Sequence, residues 1–170
     1  MVMRRNDREV KDRKGIEEII LRCKTCHVAM VDDSSPYVVP LSFGYGFLDD
    51  DTLVLYFHSA FEGKKLDILK NNNKVCFEMA NEGESISSEN PCNLGYYFSS
   101  LIGNGEVLFI SDIAEKCTAL SLIVKHQSGM NATIDNSQAE TVCVFKIVST
   151  DFTGKQKPRP VSDGPAKGGI

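Results

Sequence analysis

No run of apolar residues in the chain is long enough to span a bilayer. The charged opening MVMRRNDREVKDRK is not followed by the apolar segment an export signal carries. These two absences lead us to expect a cytoplasmic protein with no membrane partner. An excess of positive charge is missing too, since 19 Lys and Arg against 23 Asp and Glu give a formal net charge of -4. A dedicated nucleic-acid binder rests its affinity on a basic surface, so that class is set aside. No internal repeat is visible, which argues against solenoids and propellers.

Cysteine is present, but in no complete framework. Six of them (Cys23, Cys26, Cys76, Cys92, Cys117 and Cys143) suit buried thiols better than disulfides in a cytosolic chain. Cys23-Lys24-Thr25-Cys26-His27 spells C-x-x-C-H, the string of c-type haem attachment. That chemistry happens outside the cytoplasm. A zinc site would want a second C-x-x-C, and there is none, so thioredoxin-like and zinc roles are lesser alternatives and no metal is expected. The local pattern favours packing: Ile16, Ile19, Ile20 and Cys23 have the spacing of one helix face, and Cys26, Val28 and Met30 alternate as in a strand.

What is there fits one domain. At 170 residues, 42% apolar and 25% charged, the chain can bury a core without staples. Asp12 is a candidate N-cap for a helix over 13–24, although Gly15 stands where a capping box wants Glu or Gln. A strand is predicted over 26–32, then a DDSSP turn, then a strand over 37–47 in which Pro40 points to an edge or a bulge. Further strands are predicted over 52–58, 74–80, 94–110 and 141–149, with Gly103 and Gly105 permitting a bend in the third of these four. The G-x-G they form lacks the third glycine and the context of a dinucleotide fingerprint. Leu66, Leu69 and Lys70 suit a short helix. Asp112 can cap another over 113–126 with Ile113, Cys117, Leu120 and Val124 on its face. The polar segment 81–93 reads as a long excursion. His27 is expected half-buried on a strand, and His126 as a helix-end cation. Turn-linked strands with a few helices indicate an antiparallel barrel, not a doubly wound sheet.

One stretch points to chemistry. LYFHSAFEGKK (55–65) ends a buried-looking strand with an imidazole, small residues, a glycine and two lysines. At a helix start, unpaired N–H groups, the Lys64 and Lys65 ammonium groups and the Ser59 hydroxyl suit a phosphate. A plain solvated helix start with two surface lysines fits those residues equally well.

The stretches VVPLSFGYGF, LYFHSAFEGKKLDILKNN, KVCFEM and SSLIGNGEV tip the balance. They resemble the nitroimidazole-resistance (Nim-type) branch of the pyridoxamine 5′-phosphate oxidase-like flavoproteins, from about Met3 to Thr153. The resemblance implies a split antiparallel β-barrel over 1–152 with an irregular tail over 153–170. It also implies a homodimer with FMN in two equivalent interface clefts, a small-molecule acceptor and an electron donor. Lys64, with Lys65 beside it, matches the phosphate-binding lysine. His58, Ser59 and Ala60 close the strand along the cofactor, and Pro40, Leu41, Ser42 and Phe43 match the segment whose backbone meets the flavin ring. Ser99, Ser100 and Ile102 match the stretch that reaches the cofactor from the partner.

The oxidase proper has an S-R-K phosphate triplet where this chain has Glu62-Gly63-Lys64, and neither the oxidase's arginine before the flavin strand nor its C-terminal R-L-x-P is present. Pyridoxamine phosphate oxidation is therefore not expected. The implied activity is FMN-dependent reduction of nitroaromatic acceptors, with His58 as candidate proton donor. The alternatives are a flavin carrier or sensor without turnover, and a haem-binding split barrel using His27 or His58.

Overall fold

The computed structural model describes residues 4–159. Eight strands, β1 (Glu9–Val10), β2 (Thr25–Asp32), β3 (Ser35–Ser42), β4 (Gly44–Phe47), β5 (Leu53–Ser59), β6 (Lys74–Ile86), β7 (Gly95–Ile110) and β8 (Cys143–Lys157), form one antiparallel sheet. Four helices join them: α1 (Arg13–Arg22), α2 (Lys64–Asn71), α3 (Ile113–Ser128) and α4 (Asn136–Ala139). Among the described residues no helix is long and apolar enough to cross a membrane.

The hydrogen-bonded order is β3-β2-β6-β7-β8-β5-β4, with β1 on β8. This order forces the sheet to close. Laid flat, its end strands β3 and β4 would stand about 29 Å apart, at roughly 4.8 Å per step. They are separated in sequence by Phe43 alone, and two residue steps reach only about 7 Å. The sheet therefore rolls until its two edges nearly meet, and the seam between them is the split of the barrel. The two edges are not paired: β3 bonds β2, and β4 bonds β5. Pro40 thus lies on an edge strand, as its missing donor requires.

Inward-facing residues fill the barrel. Phe57 and Phe145 stack at 5.3 Å between ring centroids, and Phe43 stands 6.4 Å from Phe57. All three are fully buried. Each such ring contributes about 1.5–3 kcal/mol. Helix α1 adds Ile16, Ile19 and Ile20 to this core, and α2 adds Leu66, Ile68 and Leu69. Asp12 caps α1 by accepting from the Gly15 N–H at 2.9 Å, and Asp112 caps α3 by accepting from that of Glu115 at 2.8 Å.

Several expectations need correction. The 37–47 run is two strands on opposite edges, not one. β6 continues through Ile86 where an excursion was expected, bulged between Glu82 and Ser85 against β7. β8 runs to Lys157, so residues 153–157 belong to the sheet and not to an irregular tail, while 160–170 lie outside the described residues. Helix α3 buries Ala119, Ile123 and His126, and not the face through Ile113, Cys117, Leu120 and Val124. Helix α4 was not anticipated, though Asp135 and Gln138 spell its capping box. The bend expected at Gly103 and Gly105 is there, as a register break between Asn104 and Glu106.

Candidate functional site

Alternation along β3 decides what the seam offers. Tyr37, Val39 and Leu41 pack on the core, while Val38, Pro40 and Ser42 face outward and are exposed. An edge strand leaves a row of backbone N–H and C=O groups unpaired on its free side. The backbone of Pro40–Ser42 is therefore open to a ligand, with Phe43 as a buried anchor behind it. The Phe43 carbonyl is held by the Gln127 side-chain amide of α3 at 2.9 Å.

Across the seam, β5 ends at His58 and Ser59. Gly44 pairs with Tyr56 in the ladder, and the same register carried back past Phe43 sets Ser42 level with His58. His58 lies on the outward face, is exposed, and pairs with Val144 of β8. Ser59 points inward, is 9% exposed, and donates its hydroxyl to the Ala60 carbonyl at 2.7 Å. Ala60 itself is exposed. The chain then turns through Gly63, whose φ of 139° is a conformation that L side chains rarely adopt. Gly63 caps α2 without a side-chain bond, and its carbonyl accepts from the Leu66 N–H at 2.8 Å.

Lys64 and Lys65 begin that helix. Lys64 Nζ lies 2.8 Å from Asp32 Oδ2 and 5.0 Å from the centroid of the Tyr37 ring. The hydrogen bond with Asp32 raises the pKa of the ammonium above its usual value. Lys65, with Lys70 and Lys116, opposes the upward push that burial exerts on the Cys143 thiol. Cys143 is the ladder partner of Ser59. The structure thus brings Pro40–Phe43, His58–Ala60, Lys64 and Lys65 to one seam.

The β7 residues stand elsewhere. Pro40, His27, Glu78 and Ile102 form one row across β3, β2, β6 and β7. Three strand steps put Ile102 roughly 14 Å from Pro40 on the same outer face. Ser100 shares that face, half-buried. Ser99 points the other way: it is 3% exposed, its hydroxyl has no partner among the described residues, and it lines a 240 Å³ cavity with Arg22, Tyr97 and Lys157. Within one chain, β7 does not reach the seam.

The remaining candidates resolve in physical terms. His27 is exposed, not half-buried, with Nδ1 3.1 Å from Glu78. His126 is no solvated cation: it is 6% exposed, packs 4.5 Å from the Phe43 ring, and donates from Nε2 to the Cys23 carbonyl at 2.8 Å. Burial lowers its pKa, so at neutral pH it is uncharged. Cys23 and Cys26 are buried, and burial pushes the Cys23 thiol up to about 11 and that of Cys26 higher still. These are packed thiols with little thiolate at pH 7. Among the described residues no cluster of His, Cys, Asp or Glu could hold a metal ion. Sequence reasoning missed Asp32 and Tyr37 at Lys64, and Gln127 behind Phe43. Asp32 read only as part of the DDSSP turn.

No curated protein matches the sequence. Among solved structures, the chain is 33% identical to a putative 5-nitroimidazole antibiotic resistance protein from Bacteroides thetaiotaomicron, over 87% of this chain and 86% of that one, with a TM-score of 0.74. The flavocytochrome Anf3 from Azotobacter vinelandii (19% identity, 96% and 76% covered, TM-score 0.73) shares the fold. So does an FAD and heme binding protein from Mycobacterium smegmatis (13%, 89% and 74%, 0.72). The model of the pyridoxamine 5′-phosphate oxidase family matches residues 12–156, every strand of the sheet but β1 and the last residue of β8 included. With the rolled sheet and its open seam, that match identifies the chain as a member of the pyridoxamine 5′-phosphate oxidase family.

Proposed function

We propose that the chain is an FMN-binding flavoprotein that reduces small acceptors, with nitroaromatic compounds of the nitroimidazole type as the first candidates. The observation that carries this reading is the seam: an open backbone edge at Pro40–Ser42 faces the end of β5, and a helix start bearing Lys64 and Lys65 follows. The residues fit the cofactor. The first turn of α2 is uncapped by any side chain, so its N–H groups and the two ammonium groups are suited to a phosphate. The 33% identical relative, described as a putative 5-nitroimidazole antibiotic resistance protein, supports the acceptor class.

Bound FMN would supply the redox chemistry. The chain's own part is to bind, orient and shield. Lys64 and Lys65 would hold the phosphate, and the Pro40–Ser42 backbone would offer its free edge to the ring. His58, exposed at the mouth, donates a proton to the acceptor. A second copy completes the site. The outer face of β3, β2, β6 and β7 carries exposed Val31, Val38 and Ile102, and pairing it with a copy brings Ser100 and Ile102 to the partner's seam.

The absorbance spectrum of the purified protein is the first test. Flavin bands are expected, whereas a Soret band alone would replace this reading with haem binding. Anaerobic reduction of a nitroimidazole by the flavin-loaded protein with NADPH as donor tests the activity, and no reduction by this or other common donors would leave a flavin carrier. His58→Ala should retain flavin and lose roughly 10²–10⁴-fold in rate, the range of general acid catalysis. A rate within a few-fold of wild type in both His58→Ala and His58→Gln removes the proton-donor role.

A further inference from the structure

We propose that Asp32 is a positioning residue for Lys64, one that competes with the cofactor phosphate and sets how strongly the site prefers phosphorylated over unphosphorylated flavin. This rests on reading the seam as an FMN site. Asp32 is the last residue of β2 and pairs with Ser35 across a two-residue turn. The turn is fixed by Asp33 in the left-handed region, at φ 54°. The backbone under Asp32 is therefore held in the hairpin. The Asp32 carboxylate stands 2.8 Å from Lys64 Nζ, and the Tyr37 ring covers the same ammonium at 5.0 Å. The amphipathic hairpin β2–β3 thus holds the lysine from two sides.

The pair is not a staple of the fold. Its side chains are 59% and 38% exposed, and exposed ion pairs contribute little to stability. What it does is occupy the lysine. A phosphate arriving at α2 brings about 1.5–2 negative charges to an ammonium that already carries one carboxylate. The two anions repel, and the phosphate must displace Asp32 or share Lys64 with it. Flavin without a phosphate meets no such competition. Asp32 therefore lowers affinity for the phosphorylated form alone, and the strength of this effect depends on ionic strength.

The test titrates flavin-free protein with FMN and with riboflavin, at low and at raised salt. Asp32→Asn keeps the shape and removes the charge. FMN is expected to bind the Asn variant about three- to tenfold tighter than wild type at low salt, with the gain shrinking as salt rises. Riboflavin affinity should be unchanged. Lys64→Ala, run alongside, should weaken FMN and leave riboflavin alone. If Lys64→Ala weakens FMN but Asp32→Asn leaves its affinity unchanged or lower, the competition is refuted and the phosphate site stands. The competition is equally refuted if riboflavin and FMN affinities shift together in Asp32→Asn. If Lys64→Ala leaves FMN binding unaltered, the phosphate assignment falls and this inference with it.

Discussion

The outer surface of the sheet has two halves of opposite character. Over β4, β5 and β8 it is covered by α3, and the cover is close: a Cβ on Gly44 would stand 2.6 Å from the backbone nitrogen of Ile123. Val144, Ile110 and Ala119 are buried there, with Tyr56 and Leu120 packed against them. The C-terminal end of α3 is also tied down. Gln127 bonds the carbonyls of Lys24 and Phe43, Lys24 Nζ bonds the His126 carbonyl, and His126 bonds that of Cys23. Over β3, β2 and β6, by contrast, the outer face is open, and Val31, Val38 and Pro40 are exposed. Apolar side chains on a rigid strand face that the chain does not cover itself are what an interface looks like before its partner arrives. The covered half fixes where Phe43 sits, and the bare half is the face on which we propose that a second copy docks.

The sharpest way to break the comparison is to push the covered half apart. Gly44→Val drives its side chain into helix backbone that cannot yield, and should destabilise the fold by more than about 3 kcal/mol, read from denaturant midpoints. If the loss is under about 1 kcal/mol, the close contact of β4 and α3 is wrong. On the bare half the same kind of insult should spare the fold. Val38→Asp with Ile102→Asp should leave the secondary structure of the chain as in wild type, and should weaken self-association by roughly 30-fold or more, as at an interface hot spot. Sedimentation of the double variant checks this.

Smaller effects sharpen the same contrast. Lys64→Ala should weaken FMN binding by about tenfold to a hundredfold, the range for hydrogen bonds to charged groups, without loss of thermal stability. The smallest effect belongs to His126. Its pKa in the folded chain lies below the 6.5 of a free imidazole because burial disfavours the charged ring. Its stabilising contribution is therefore full above about pH 6.5 and is lost as pH falls from there through the lower folded value. A stability-versus-pH curve should show this acid-side slope, and His126→Gln should flatten it.

How much of this was legible depended on whether local pattern or distant contact decided each element. Asp12 and Asp112 announced their helices because a cap acts within one turn. Pro40 announced an edge because it has no donor to give. The barrel core was readable in the alternation of Val75, Phe77 and Met79, all of which are buried. The extensions were not. Glu82 and Ser85 are poor strand formers, and they are in β6 because Phe98 and Tyr96 of β7 pair with them, with Gly83 and Glu84 bulged between; Asp151 and Gly154 are in β8 because β7 and β1 pair with them. Lys125-His126-Gln127 reads as a polar helix end, and only the docking of α3 against Phe43 turns it into a buried strut.

At the site, Lys64, His58 and Pro40 were found by resemblance and by charge. Asp32 was missed because a contact between a turn and a helix 32 residues apart in sequence leaves no local trace.

The claim that joins these parts is that the bare half is completed by a second copy, which closes a flavin site at each seam. Sedimentation velocity of the flavin-loaded protein at micromolar concentration, followed at both protein and flavin wavelengths, tests it directly. A single boundary at the mass of two chains, carrying about two flavins, is the predicted result; an interface in the obligate class, above roughly 2,000 Å², would hold at that dilution. A boundary at the mass of one chain that still carries flavin would contradict it.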